Sequence, residues 1–355
     1  MNENPSSERP FVSIVIPVRN EEQYIGKVLE SILAQSYPAD RMEIVVVDGR
    51  STDRTREVLQ RYQQQHAFIR CIDNPDGYVP HAMNRGIRAA QGDVIVRIDA
   101  HAEYPKDYVQ RLVEWLLRLK ADNVGGVFVT LPGGQSDLSR AAALAMAHPF
   151  GVGNAQFRIV DSDDETPRLV DTVPYGCYPR SVFDRIGLYD EDLLRNQDEE
   201  LNARIIQSGG KIYLIPAVKI YYYGSRRNLR SLARMFYQYG YFKPLVNMKL
   251  KRPASWRQFV PPAFVLALML PLLGALLYRP LWGLSAAALL LHALINAAVS
   301  FQIARTQKKW RLWPYLWIAF LTIHLAYGWG FLRGMVDFML LKKHQKKRVD
   351  VALSR

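Results

Sequence analysis

The sequence predicts an α/β domain with a mainly parallel sheet, followed by an amphipathic helix and a set of C-terminal transmembrane helices. Three observations lead there. Short apolar, β-branched runs alternate with segments of helical spacing through residues 11–215. Polar or acidic residues follow three of the strand ends, at Asn20-Glu21, Asp48 and Asp99. Charge is also split along the chain: residues 1–200 hold 22 Lys and Arg against 31 Asp and Glu, whereas residues 201–355 hold 24 against 2. Such asymmetry marks two parts with different surroundings.

Phe11 to Pro17 is a β-branched run closed by proline and reads as the first buried strand. After the polar loop Arg19 to Glu22, residues 25–35 place Ile25, Val28, Leu29 and Ile32 on one helical face. Glu43 to Val47 is a second strand, ending at Asp48-Gly49, and Ser51-Thr52-Asp53 can cap a helix over 54–65. Ile69 to Ile72 is a third, short strand, followed by the turn-forming Asn74-Pro75-Asp76-Gly77 and a helix over 81–91. Val94 to Ile98 is the next buried strand, with a helix over 108–120 behind it.

Strand 125–130 and a small-residue helix over 138–147 follow. Residues 150–173 read as polar and irregular, a candidate mobile loop. Residues 173–178 read as a strand or turn, and a helix starts at Ser181. A helix over 199–208 and a strand over 211–215 close the domain.

In a parallel sheet the carboxyl ends of the strands share one crevice, so Asn20, Glu21, Asp48 and Asp99 are expected near one another. Asp99 and His101, two residues apart at a strand end, suit a divalent cation that would neutralise a diphosphate. The plainer alternative is a strand followed by an Asp-initiated turn. His81, Asn84 and Arg85 share one helix; an Arg facing the crevice would bind phosphate, and a solvated helix face is the plain alternative.

The two cysteines, Cys71 and Cys177, imply no disulfide framework. The polar N-terminus has no secretory signal, so the first domain is expected in the cytoplasm. A net charge of +13 would suit nucleic acid or an anionic membrane. The basic residues interleave with membrane-length apolar runs, which decides for membrane. Residues 226–251 mix Arg and Lys with Leu229, Leu232, Met235, Phe236, Tyr239 and Phe242, the pattern of an interfacial helix. Residues 259–278, 281–303 and 312–333 are each long and apolar enough to span hydrocarbon. Arg305, Lys308, Lys309 and Arg311 mark the second loop as cytoplasmic. A third crossing would then carry the basic tail outside, against the positive-inside tendency, so a re-entrant third segment stays open.

Ile16-Pro17-Val18-Arg19-Asn20-Glu21-Glu22, Val47-Asp48-Gly49-Arg50-Ser51-Thr52-Asp53, Asp99-Ala100-His101 and Asp198-Glu199-Glu200-Leu201 occur in the order seen in family 2 glycosyltransferases. Over roughly residues 10–225 the chain resembles that family, and within it the membrane-attached group that includes succinoglycan glucosyltransferases. The resemblance implies the GT-A nucleotide-sugar fold and an inverting hexosyl transfer. The donor would be a nucleotide-sugar, UDP-linked, and the acceptor a polyprenyl-linked saccharide or another lipid, in exopolysaccharide biosynthesis at the inner membrane.

It further implies that Pro17, Asn20 and Glu21 touch uridine and ribose, that Asp48 accepts a hydrogen bond from the base, and that Asp99 binds the Mn²⁺ or Mg²⁺ cofactor. The family's metal motif carries a second Asp where this chain has His101. Asp198 matches the catalytic base, with Gln197 in place of the usual preceding Glu. The plain alternatives are a helix start for Glu21, a turn residue for Asp48, and an acidic first helical turn for Asp198, where adjacent carboxylates would raise one another's pKa. The domain bounds that follow are 1–225 catalytic, 226–257 interfacial, 258–341 transmembrane and 342–355 a basic tail. Direct transfer to polyprenyl phosphate or another lipid is the alternative enzymatic reading, and a non-catalytic nucleotide-sugar-binding protein the alternative of another class.

Overall fold

The computed structural model describes residues 9–160, 164–223, 228–253 and 255–346. The boundary expected at residue 225 and most of the basic tail lie outside the described residues. The chain divides into two compact units, Met1–Val129 with Val160–Tyr221 and Thr130–Ile159 with Tyr222–Arg355.

In the first unit the strands are β1 (Val12–Val18), β2 (Met42–Asp48), β3 (Ile69–Asp73), β4 (Val94–Arg97), β5 (Ala102–Glu103), β6 (Asn123–Thr130), β7 (Arg168–Leu169), β8 (Cys177–Pro179) and β9 (Ile212–Tyr222). They form one sheet in the order β3-β2-β1-β4-β8-β6-β9-β5, with β7 beside β9. Strands β3, β2, β1 and β4 are mutually parallel, whereas β8 runs antiparallel to both β4 and β6. The sheet is therefore mixed: β3, β2, β1 and β4 are the parallel crevice-forming array, and beyond it β8 is antiparallel to both neighbours and β7 to β9.

The helices on this unit are α1 (Ile25–Leu33), α2 (Thr55–Gln65), α3 (Val79–Ala89) and α4 (Tyr108–Leu119). Helix α1 buries Ile25, Val28, Leu29 and Ile32, the face its spacing predicts. β1 and β2 are buried at every position, as strands covered on both faces must be. Strand β9 runs well past the expected end at residue 215. Pro216 lies inside it and, lacking an N–H to give a neighbouring strand, reads in sequence as a strand end.

The second unit holds α5 (Asp137–Met146), α6 (Pro149–Val152) and α7 (Gln156–Ile159). The segment 150–173 is thus less irregular than its composition suggests, since β7 also lies within it. After α8 (Arg180–Ile186) and α9 (Gln197–Gln207) in the first unit, the second continues with α10 (Leu229–Leu250), α11 (Val260–Gly274), α12 (Trp282–Thr306) and α13 (Leu312–Gly334). Helix α13 runs on as a π-helical turn, Met335–Leu340. Among the described residues, three stretches are long and apolar enough to cross a membrane: Trp256–Gly274, Arg279–Thr306 and Leu312–Leu340. On α11 and α12, Leu270, Leu272, Leu290, Leu291 and Leu294 are exposed, as lipid-facing side chains would be.

The apolar side of α10 is not left for lipid alone. It packs along α13, where small residues let the two backbones touch. A Cβ on Gly330 would lie 2.2 Å from the Tyr237 carbonyl oxygen, and one on Gly334 would lie 2.1 Å from that of Tyr241.

Candidate active site

The carboxyl ends of β1, β2 and β4 meet at one edge of the sheet. Val18 pairs with Asp48, and Val15 pairs with Arg97, so Asp48 and Asp99 lie on either side of the chain leaving β1. One intervening strand separates them, about 10 Å between strand axes.

The turn after β1 and the loop after β2 are laced together. Asn20 takes a left-handed conformation, φ 54°, which Asn tolerates better than most residues. Its N–H donates to Ser51 Oγ at 2.8 Å, and its Oδ1 accepts from the Thr52 N–H at 2.7 Å. The Glu21 N–H donates to Thr55 Oγ1 at 2.8 Å. Asp48, 3% exposed, accepts from Ser51 Oγ at 2.5 Å and from Arg56 Nε at 2.6 Å. Asp48 is thus already engaged in ordering the loop. Pro17 is buried within β1 opposite Val47, and Asn20 and Glu21 are half-buried.

Asp99 and Asp198 meet through a residue that sequence reading did not single out. Arg97, the last residue of β4, is 3% exposed. Its Nε donates to Asp99 Oδ1 at 2.9 Å, its Nη2 to Asp99 Oδ2 at 3.1 Å, and its Nη1 to Asp198 Oδ1 at 2.5 Å. The guanidinium also lies over the Tyr175 ring, 5.4 Å from the centroid. Burial opposes its charge, but the two carboxylates outweigh that and hold its pKa well above the ordinary arginine value. Tyr104 fixes the backbone here, accepting from the Asp99 N–H at 3.0 Å and donating to the Asp99 carbonyl at 3.1 Å.

Asp198 is the second residue of α9, in the first turn after Asn196, which is left-handed at φ 61°. One turn later on the same face, Asn202 accepts from Asn123 Nδ2 at 2.7 Å and donates to Thr172 Oγ1 at 2.8 Å. That buried amide pair sets where α9 lies against the sheet. The three adjacent carboxylates do not act as one cluster. Glu200 turns to Arg204, with hydrogen bonds of 2.7 and 2.9 Å. The Asp198 carboxyl pKa is raised by burial, pulled back by Arg97, and raised again by Asp99. The cause is thus burial and a partner across the fold, not the neighbours in sequence.

His81 and Asn84 are buried rather than solvated: Asn84 Nδ2 donates to the Tyr189 carbonyl and to Glu191 Oε1, both at 2.9 Å. Arg85 pairs with Asp76 at 3.2 Å. Asn84 and His81 thus tie α3 to the segment before α9, whereas Arg85 turns back to the loop that precedes α3. Another cavity, lined by Phe11, Met42, Phe68, Arg70 and Gln91, lies at the opposite, amino-terminal end of β1–β3. Its buried carboxylate, Glu43, is occupied by Ser13, Arg70 and Gln91.

Residues 13–178 match the family described as glycosyl transferase family 2. The succinoglycan biosynthesis protein ExoA of Rhizobium meliloti is 30% identical over 92% of this chain and 95% of its own length. The chain belongs to glycosyltransferase family 2. This family member is also 27% identical, over 92% of its length and 97% of the relative's, to a Methanococcus voltae enzyme. That relative is a dolichyl N-acetyl-alpha-D-glucosaminyl phosphate 3-beta-D-2,3-diacetamido-2,3-dideoxy-beta-D-glucuronosyltransferase. Among solved structures, the Pyrobaculum calidifontis mannosyltransferase PcManGT, in complex with GDP-Man and Mn²⁺, superposes with a TM-score of 0.55. Identity to it is 20%, over 91% of this chain and 88% of that one. The fold is GT-A, and this family 2 protein is a glycosyltransferase, which removes the non-catalytic reading.

Proposed function

We propose that this glycosyltransferase moves a hexosyl group from a UDP-sugar to a polyprenyl-linked saccharide, with inversion, at the cytoplasmic face of the inner membrane. The observation that supports the reading most is the Arg97 bridge, which holds the expected metal-binding carboxylate and the expected base on one guanidinium. The names of the two relatives, one a succinoglycan protein and one an enzyme of a dolichyl-linked acceptor, favour a lipid-borne saccharide over a free sugar.

In this reading Asn20, Glu21 and the buried Pro17 and Asp48 form the nucleotide side of the cleft. Arg97 occupies Asp198 Oδ1 and leaves Oδ2 to take the proton of the acceptor hydroxyl. The acceptor oxygen bonds to the anomeric carbon as the bond from that carbon to the diphosphate breaks, and UDP departs with the bonding pair.

Among the described residues, no three His, Cys, Asp or Glu side chains are grouped to hold a metal. The donor set nevertheless fits an ion shared with the diphosphate. Asp99 is clasped by Arg97 yet keeps lone pairs on both oxygens, and His101 stands half-buried two residues on. Ions of this kind are held by one or two protein ligands plus phosphate oxygens and water. A bound Mn²⁺ or Mg²⁺ would supply counter-charge to the leaving diphosphate.

The test is to incubate the protein with nucleotide-sugars and membrane extract and look for a labelled lipid product. Asp198→Asn should remove turnover and spare UDP binding. Loss of UDP binding together with turnover would make Asp198 a structural residue and end this assignment.

A further inference from the structure

We infer that Arg97 is the positioning residue of the transfer reaction: it aims the Asp198 base and locks it to Asp99. The inference rests on the assignment of Asp198 as the base. Three features carry it. The first is cost. Burying a cation in a strand that otherwise reads Val-Ile-Val is expensive, and an apolar side chain there would serve the fold at least as well. An arginine kept at 3% exposure therefore answers to something other than packing.

The second feature is geometry. All three guanidinium nitrogens are used, two on Asp99 and one on Asp198, and Tyr175 covers the ring-facing side. A planar fork can hold two carboxylates in a fixed mutual orientation; a lysine ammonium offers one nitrogen and no plane.

The third is that Asp198 is held from outside α9. Its carboxylate accepts from Arg97 on β4, whereas Glu200 on the same helix turns to Arg204. The aim of the Asp198 carboxyl comes from across the fold.

The experiment is a double-mutant cycle on the full chain in detergent or nanodiscs, using Arg97→Met, Arg97→Lys, Asp198→Asn and the Arg97→Met/Asp198→Asn pair. The readouts are kcat, KM for the donor, binding of UDP with Mn²⁺, and thermal unfolding. Arg97→Met should lower kcat about 100-fold, the scale of a misplaced general base. Its UDP–Mn²⁺ binding should not weaken, because a positive charge has left the side of Asp99. The double variant should be no slower than Asp198→Asn alone, since both changes disable one unit. Arg97→Lys should fail to restore kcat while keeping the buried charge, which covers the case in which Arg97→Met does not fold. Near-normal kcat in Arg97→Met or Arg97→Lys, or multiplicative losses in the double variant, overturn the inference. Retained turnover in Asp198→Asn overturns the base assignment and the inference with it; turnover lost there but kept in Arg97→Met overturns the inference alone.

Discussion

At the scale of single residues, Asp198 is where electrostatics and chemistry meet. Burial raises its carboxyl pKa, Arg97 lowers it, Asp99 raises it, and the net direction is upward. A base must be ionised to accept a proton, so kcat should fall as pH drops through this raised value, at a higher pH than an ordinary Asp near 3.9 would give. A pH–kcat profile under saturating donor checks it, and an acid limb at or below that ordinary value counts against burial as the dominant influence. The sign for stability is opposite to that of a salt-bridged Asp with a depressed pKa. The folded protein binds this proton more readily than the unfolded chain. The group therefore costs stability above its folded pKa, and that cost is relieved as pH falls through it.

At the scale of elements, two contacts decide whether the pieces arrive in the right place. The Asn123–Asn202 pair sets α9 against the sheet, both residues being 0% exposed. Asn202→Leu leaves the Asn123 amide without its partner and should cost about 1–3 kcal/mol. Because Asp198 rides one turn earlier on the same helix, kcat should drop as well, which a paired measurement of Tm and turnover would reveal. In the second unit, the glycines of α13 admit the α10 backbone. Gly334→Val would push a side chain into the Tyr241 carbonyl and should destabilise this helix pair by about 1–3 kcal/mol, read as earlier unfolding in detergent. Turnover by the remaining folded protein at low temperature should be less affected than in Asn202→Leu.

At the scale of the whole molecule, the charge pattern and the helix pairing bear on how often the chain crosses the membrane. Both ends of α13 are basic, with Lys308, Lys309 and Arg311 before it, Arg333 in its last turn, and Lys342 and Lys343 beyond. Its partner α10 carries Arg230, Arg234, Lys243 and Lys249 and is not among the helices apolar enough to cross. A segment with positive flanks at both ends, packed on such a helix, is expected to keep both ends on the cytoplasmic side. Two crossings, α11 and α12, then remain. Cysteines placed at 276–279, 307–310 and 342 and labelled in intact cells should react from outside only at the first. Outside labelling at 342 would make α13 a third crossing.

Local periodicity determined much of this protein from sequence alone. The face of α1, the buried runs of β1, β2 and β4, and the polar residues at their ends follow from spacing that any isolated segment carries. So does the membrane-length apolarity of α11 and α12. The ordered motifs around Asn20, Asp48, Asp99 and Asp198 added the family. What only the tertiary structure decided depends on segments far apart in the chain. Arg97 looks in sequence like one polar residue closing an apolar strand; it becomes a bridge because α9 delivers Asp198 to it from 101 positions away. The antiparallel seating of β8, the Asn123–Asn202 anchor and the glycine contact between α10 and α13 are likewise pairings across space, and short-range spacing carries no signal for which distant partner a residue will meet.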